Sequence, residues 1–462
     1  MMIDWIASPA RVAGAAALVA GYTLLCAAVA GRLWRQRRAE RQEQLALQAG
    51  TQQGAPVLVA YASQTGRAEA LAHETARVLH AGGCAVQLRP VQALRLADLQ
   101  ACAQSLWLLS TTGEGDAPDD ALPFVRQVLE QALPLPGHNA HVLALGDSEY
   151  AAFCAFGLRV QQWLQQQGAK ADVLCMDNGD EASLMAWQGQ TAELLQSLTG
   201  QAGDGWSQPE AAQPWVLRRR QLLNPGSQGG PVYLLDWQPQ SGSLPLWESG
   251  DLVSLAVPAD PQRSRDYSIA SVPEDGCLQL LVRQSRRADG TPGLASGWLC
   301  EGMAVGDVLP MRLRAHSGFR LGDNAERPLL LIGNGTGLAG LCSHIRARMV
   351  QGRSDQWLVF GERRADEDAL LDAQLQQWLA AGQLERLDRA WSRDATDPCY
   401  VQQLLERQAQ RLRDWVACGA AIYVCGSQQG MAQGVDAVLR QVLGAAEVDA
   451  LALAGRYRRD VY

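Results

Sequence analysis

Pro56-Val57-Leu58-Val59-Ala60-Tyr61-Ala62-Ser63-Gln64-Thr65-Gly66-Arg67 is the stretch on which the fold turns. An apolar run of strand length, Pro56 to Tyr61, leads into a hydroxyl-rich turn, and a helical stretch follows from Arg67 to His80. Ser63, Thr65 and the backbone N–H groups at the helix start point into one small space, where the helix dipole favours an anion. Read alone, this is either a phosphate cradle or an ordinary capped helix. The residues beyond it bear on the choice. Apolar strands recur at Ser105 to Ser110, His141 to Leu145 and Ala171 to Met176, separated by helical stretches. That alternation predicts a parallel, doubly wound sheet whose ligand sits beyond the carboxyl ends of the strands. Those ends carry Ser110-Thr111-Thr112-Gly113-Glu114-Gly115-Asp116 and Gly146-Asp147-Ser148-Glu149-Tyr150. Glycines let backbone approach a flat ring, and Tyr150 offers a stacking face. Three such loops at one sheet edge favour a binding site over three ordinary turns.

Bulk properties narrow the class. A chain of 462 residues suggests two to four domains, and 47% apolar with 19% charged residues is a globular composition. The net charge of -8, without a basic stripe, argues against nucleic acid as a partner. The 11 cysteines are scattered, with no C-x-x-C and no Cys/His cluster, so no metal centre is expected and free thiols in a reducing compartment are.

The first 54 residues read as an anchor and stalk. Val12 to Trp34 gives 23 mostly apolar or small residues, about 34 Å as a helix, enough for a bilayer core. Asp4 and Arg11 precede this span, while Arg32, Arg35, Arg37, Arg38 and Arg41 follow it. The asymmetry predicts a single-pass inner-membrane protein with its catalytic domains in the cytoplasm. A cleaved signal peptide is the rival, because Ala28-Val29-Ala30 resembles a cleavage site; the arginines that follow it oppose export. Glu40 to Gly54 is polar and Gln-rich, a stalk fading into a linker.

After residue 200 the texture changes twice. Residues 201–214 form a Gly/Gln/Pro-rich linker. From Trp215 short strands such as Val232 to Trp237, Leu252 to Val257 and Gln279 to Arg283 alternate with Pro, Gly and Asp, which predicts a small antiparallel barrel over 215–322. Within it, Arg265, Tyr267 and Ser268 lie on alternate sides of a strand, a set able to bind a pyrophosphate, cover a ring and donate a hydrogen bond. Gly293-Leu294-Ala295-Ser296 reads as a second helix-start anion site. From 323 to the end, an apolar strand at Arg327 to Ile332 runs into Gly333-Asn334-Gly335-Thr336-Gly337, a glycine loop that is a weak dinucleotide signal by itself. Later strands ending in Gly361-Glu362-Arg363-Arg364, Trp391-Ser392-Arg393-Asp394 and Cys425-Gly426 strengthen it. Arginine and serine at a strand end suit a 2′-phosphate, hence NADP.

YASQTGRAEALA, STTGEGDAPDDALPF and LGDSEYAAFCAFG closely resemble the three FMN loops of the diflavin reductases, above all those of the sulfite reductase flavoprotein type. The resemblance implies FMN held by Ser63, Gln64, Thr65, Gly66, Arg67 and Ala68, by Thr111, Thr112, Gly113, Glu114 and Gly115, and by Leu145, Gly146, Asp147, Tyr150, Phe153 and Cys154. Thr112 stands where several members have an aromatic, and Arg67 is larger than is usual there. Arg-x-Tyr-Ser followed by Gly-x-Ala-Ser resembles the FAD pair of the ferredoxin–NADP reductase superfamily. It implies that Arg265 with Gly293, Leu294, Ala295 and Ser296 holds the FAD phosphates, that Tyr267 packs on the isoalloxazine, and that Ser268 sits near its reactive nitrogen. Diflavin reductases insert a mostly helical connecting domain before this motif, and only Pro258 to Ser264 is available here. The last lobe is similar to the NADPH lobe of the same family. The likeness implies NADPH on Gly335, Thr336, Gly337, Arg363, Cys425 and Gly426, with Ser392, Arg393, Tyr400 and Gln402 reading the 2′-phosphoadenosine. Pro398 replaces the family lysine, Gly340 a proline and Ser427 an aspartate.

The implied architecture is α/β and multidomain: an N-terminal transmembrane helix, a flavodoxin-like FMN domain (55–200), an antiparallel FAD-binding barrel, and a Rossmann-like NADP-binding domain (323–462). The implied reaction passes electrons from NADPH to FAD to FMN and on to a one-electron acceptor, a haem, ferric or other metal-centre partner. Ser268, Cys425 and Asp460 would line the hydride-transfer site. Two alternatives stand beside it, a sulfite reductase flavoprotein component and a redox-inactive docking module. GRYRRDVY at the C-terminus resembles the family's ending, in which Tyr462 would lie on the FAD ring as a gate.

Overall fold

The computed structural model describes residues 56–112, 115–118, 121–148, 152–177, 180–201, 205–207, 211–287, 289–394 and 396–462. The segment Val12 to Trp34 lies outside the described residues, as do the stalk and Gly113, Glu114 and Tyr150. The expected placement in the inner membrane is corrected: no helix among the described residues is long and apolar enough to cross a membrane.

The first sheet is all parallel, in the order β2-β1-β3-β4-β5, with β1 Val57–Ala62, β2 Val86–Pro90, β3 Gln104–Ser110, β4 Asn139–Leu145 and β5 Lys170–Met176. This is the flavodoxin-like doubly wound order. Every residue of β1 is buried, because helices cover both faces of a parallel sheet and leave no polar side. The helix Arg67–Ala81 contributes Ala68, Ala72, Ala76 and Leu79 to that cover, a stripe at helical spacing. β2, an edge strand of five residues, has too little apolar character to have been read in advance.

The second sheet is antiparallel, in the order β10-β7-β6-β11-β8-β9. Its strands are β6 Gln213–Leu222, β7 Val232–Pro239, β8 Leu252–Val257, β9 Asp260–Ser268, β10 Leu278–Arg283 and β11 Val308–Arg314. A bridge between Ile269 and Leu280 joins the two outer strands, and the side chains within form one apolar core around Trp215, Trp237 and Leu255. Pro258 to Ser264 is not a linker. Val257 pairs with Asp260 across an exposed two-residue turn, and residues 260–264 are already strand. The third sheet is parallel, β14-β13-β12-β15-β16, formed by β12 Leu329–Asn334, β13 Gln356–Glu362, β14 Arg386–Trp391, β15 Ala421–Gly426 and β16 Tyr457–Val461. The C-terminal residues are therefore a paired strand, with Cys425 opposite Asp460 and Gly426 opposite Val461.

One buried base in this lobe makes the fold acid-sensitive. His344, on the helix Leu338–Val350, is wholly buried against Tyr423 (ring centroids 4.7 Å apart) and Phe319 (5.0 Å). Burial first, then Arg458 and His316, push its pKa from the usual 6.5 to about 3, against a smaller upward pull from the Phe319 backbone. Between those values the unfolded chain binds a proton that the folded chain does not. Stability therefore falls as pH drops through this window, by up to about 1.4 kcal/mol per pH unit. His344→Phe fills the same space without a base, so its melting temperature should fall less than the wild type's between pH 7 and pH 5. Equal falls in the two proteins would place the acid-sensitive group elsewhere.

Candidate functional site

The three loops at the carboxyl edge of the first sheet come together. Ser63, at the end of β1, caps the helix Arg67–Ala81, its Oγ accepting the Ala68 N–H (3.2 Å). Ala68 itself is fully buried, so it supports the helix rather than facing a ligand. Gly66 has φ +79°, and a Cβ there would stand 3.1 Å from the Ala315 carbonyl oxygen. Arg67 lines the cavity beyond, and burial, assisted by Arg314, lowers its pKa. A half-buried guanidinium at a helix start is the arrangement that an anion would stabilise.

In the second loop Thr111 N–H donates to the Leu145 carbonyl (2.8 Å), and Thr112 pairs with Asp116 across a short bridge. Gly115, at φ +106°, approaches Ala152 so closely that a Cβ would lie 2.7 Å from the alanine's own. The third loop folds back on itself. A Cβ on Gly146 would lie 2.8 Å from the Cys154 nitrogen and 2.9 Å from the Phe153 ring. Cys154 takes a left-handed conformation (φ 59°) and donates its thiol to the Ala144 carbonyl (3.1 Å), while burial pushes that thiol's pKa well up. These are cradles a Cβ would fill, and with the cationic helix start they fit a phosphorylated flat ring such as FMN.

In the barrel, Arg265 bonds Asp260 (3.2 Å) and the Arg263 carbonyl (3.2 Å), and Tyr267 packs against the barrel core. The Gly293–Ser296 segment opens a helix: the turn Leu294–Gly297 runs straight on into a wider one, Trp298–Gly302. Within it Ser296 accepts the Ser285 N–H (3.0 Å) and shares a hydrogen bond with the Ser285 hydroxyl (2.7 Å). Ser285 is thus part of this turn, and an isolated serine on a loop gave no signal for it.

Ser268, Cys425 and Asp460 come from three separate strand ends and meet. The Ser268 hydroxyl donates to Asp460 Oδ2 (2.9 Å), and the Cys425 thiol donates to the same oxygen (3.6 Å). Asp460 is 4% exposed, and burial together with that carboxylate keeps the Cys425 thiol protonated. Tyr462 lies beside them. Its N–H donates to the Gly426 carbonyl (3.0 Å), its carbonyl accepts from Gln428 (3.1 Å), and its hydroxyl shares a hydrogen bond with Thr336 (3.0 Å). Gly335 (φ +58°), Thr336 and Gly337 open the helix Leu338–Val350, and Cβ atoms on Gly333 or Gly337 would run into the Cys425 carbonyl oxygen. Gly340 meets the Phe319 ring, where a Cβ would stand at 3.0 Å. Gly337→Ala should therefore cost roughly 1–3 kcal/mol through overpacking and abolish reduction by NADPH, with FMN content unchanged. Anaerobic flavin absorbance checks this, and full reduction would contradict it.

At the far edge of the third sheet the backbone pairing continues past β13 and β14. Ser392 N–H donates to Glu362 (2.9 Å) and Arg393 N–H to Arg363 (2.7 Å), which brings Arg363, Ser392 and Arg393 side by side. Gln402 packs on Gly434, where a Cβ would lie 3.0 Å from its amide, and Tyr400 is half exposed at the start of the helix Val401–Arg407. Arg283 and Glu362 form an ion pair behind the glycine loop, a link from barrel to loop that no local pattern announces.

One cavity of about 800 Å³ lies between the loops of the first sheet and the C-terminal strand. Its wall includes Gln64, Thr65 and Arg67, Thr111 and Thr112, Gly146 and Asp147, and, across from them, Asp266, Ser427 and Tyr462. The first sheet's loops therefore face the barrel and the C-terminal strand directly. Arg263 reaches across to Ser148 (3.0 Å) and Asp177 (3.5 Å), and the Gln64 amide donates to the Arg459 carbonyl (3.2 Å).

Residues 59–194 match the flavodoxin family model, and residues 331–437 match that of the oxidoreductase NAD-binding domain. The sulfite reductase [NADPH] flavoprotein alpha-component of Vibrio cholerae is 27% identical over 534 aligned positions, which cover 87% of each chain. That of Bacillus subtilis is 25% identical over 540, covering 88% of this chain and 89% of its own. That of Yersinia enterocolitica is 37% identical over 227 residues, 46% of this chain and 37% of its own. The two long alignments exceed the 462 residues of this chain, so those relatives contain segments that it lacks.

Proposed function

We infer that this chain, a member of the NADPH-dependent diflavin reductases, carries electrons from NADPH through FAD and FMN to a one-electron acceptor, within a frame of FMN lobe (55–200), FAD barrel (215–322) and NADPH lobe (323–462). The bound cofactors supply the redox chemistry, hydride transfer at one end and single-electron release at the other. The chain supplies position and charge. Arg67 and the N–H groups at the helix start hold a phosphate. Arg265 and the Ser296 turn hold the FAD phosphates, and Tyr267 packs beside the ring. Asp460, with Ser268 and Cys425 donating to it, puts negative charge where a nicotinamide becomes positive as it gives up hydride. Arg363, Ser392, Arg393, Tyr400 and Gln402 take the 2′-phosphoadenosine end.

The observation that carries this reading is the single cavity bounded by the FMN loops on one side and by Tyr462 and Asp266 on the other. It allows the two flavins to approach each other with no domain between them. The acceptor is a metal-centred partner, and the alpha-component relatives favour a sulfite reductase partner as one instance of it. Purified full-length chain should carry two flavins, one FMN and one FAD, both bleached by NADPH. A colourless protein would leave only the docking-module reading. Sulfide formation with a haem-bearing sulfite reductase subunit would select that acceptor; reduction of ferric complexes without it would select another metal centre.

A further inference from the structure

The loop assigned to the FMN phosphate is gripped from outside its own lobe. Two of its carbonyls are occupied by side chains of the barrel. Gln64 O accepts from His316 Nε2 (2.9 Å), and Thr65 O accepts from Arg314 Nη2 (2.8 Å), which also donates to the Thr65 hydroxyl (2.9 Å). Between these two side chains, the Ala315 carbonyl faces Gly66, where a Cβ would stand a tight 3.1 Å from its oxygen.

The gripping segment is itself braced. Arg314 ends β11 and pairs with Asp266 on β9. His316 is fully buried, its N–H donates to Asp251 (3.0 Å), and its ring stacks on Phe319 at 5.8 Å. Asp251 is in turn held by Arg320 through two hydrogen bonds, 2.6 and 2.8 Å.

A peptide unit is planar and trans, so each carbonyl points opposite to the N–H of the next residue. Fixing Gln64 O and Thr65 O on the barrel therefore turns the Thr65 and Gly66 N–H groups away from the barrel. Those are the donors a phosphate at this helix start would use.

We propose that Arg314 and His316 are positioning residues for the FMN phosphate, and that FMN binding is thereby coupled to docking of the flavodoxin-like lobe on the barrel. This rests on the assignment of FMN to the Ser63–Gly66 loop. Coupling of this kind is reciprocal: whatever docking adds to FMN affinity, FMN adds to docking.

The test uses the full chain stripped of FMN and titrated with FMN or with riboflavin, followed by flavin fluorescence. The double variant R314A/H316A should bind FMN at least tenfold more weakly than wild type. Its riboflavin affinity should change less than threefold, because riboflavin has no phosphate to place. Equal FMN affinities in the two proteins would overturn the proposal, and so would equal losses for both ligands, which mark general damage. R314K, which keeps the charge and part of the donor set, should fall between them; wild-type affinity in R314K together with a misfolded double variant also overturns it. Small-angle scattering on the wild type supplies an arm free of substitutions. Removing FMN should increase the radius of gyration and adding it back should reverse the change, whereas no change counts against coupling. A wild-type chain that takes up no FMN at all is a different result, since it removes the cofactor assignment itself.

Discussion

Asp460→Ala is expected to slow flavin reduction by NADPH about a hundredfold or more, the usual scale for removing one preorganised charge from a hydride- or acyl-transfer site. Asp460 is buried at 4% exposure and is the common acceptor for the Ser268 hydroxyl and the Cys425 thiol. Deleting it leaves the Ser268 hydroxyl and the Cys425 thiol without this acceptor and removes the carboxylate that, on the proposed function, would face the developing positive charge. Asp460→Asn separates these effects, since it keeps an acceptor oxygen but not the charge. If charge is the larger cause, Asn should be nearly as slow as Ala. Stopped-flow absorbance on the first anaerobic turnover measures the step directly, and FAD and FMN contents should stay at wild-type levels. A rate within threefold of wild type in Asp460→Ala would remove this residue from the transfer site.

The second large effect concerns Tyr462. Its backbone is pinned on both sides by Gly426 and Gln428, so motion is confined to the side chain, which is 56% exposed and rests on Thr336. On the proposed function, a ring in that place would occupy the seat that nicotinamide needs. Tyr462→Ala should open the seat permanently. The cofactor would then depend less on its 2′-phosphate contacts, and the NADPH-to-NADH ratio of kcat/KM should fall tenfold or more. Product release should slow as well, lowering kcat with NADPH. Tyr462→Phe keeps the ring and loses only the Thr336 hydrogen bond, so it should resemble the wild type. Unchanged cofactor preference in Tyr462→Ala would make the residue a passive end of β16.

Much of this site was legible because its parts are local. The cradle after β1, the loops after β3 and β4, and the glycine turn after β12 each combine a strand end, a glycine and a helix start within a dozen residues. The C-terminal aromatic was legible as a working end, yet its pairing as a parallel strand on β15 was not, because Arg458, Arg459 and Asp460 carry no apolar alternation. The grip on the phosphate loop was invisible for a related reason. Arg314 and His316 lie about 250 residues from their partners, and a lone arginine at a strand end and a lone histidine after it have no period to betray them. The membrane expectation rested on hydropathy and on the arginines flanking the span, in a segment outside the described residues.

The two-residue turn between β8 and β9 has a wider meaning. Val257 and Asp260 pair across the turn, next to a shift of register at Ala256, and the residues at the tip, Pro258 and Ala259, are exposed. Such a tip is a port at which a folded unit can be spliced into a chain without unravelling what surrounds it. A small folded unit grafted between Pro258 and Ala259 should therefore leave the barrel's pairing and the flavin content unchanged, which makes the position a natural starting point for building variants of chosen length.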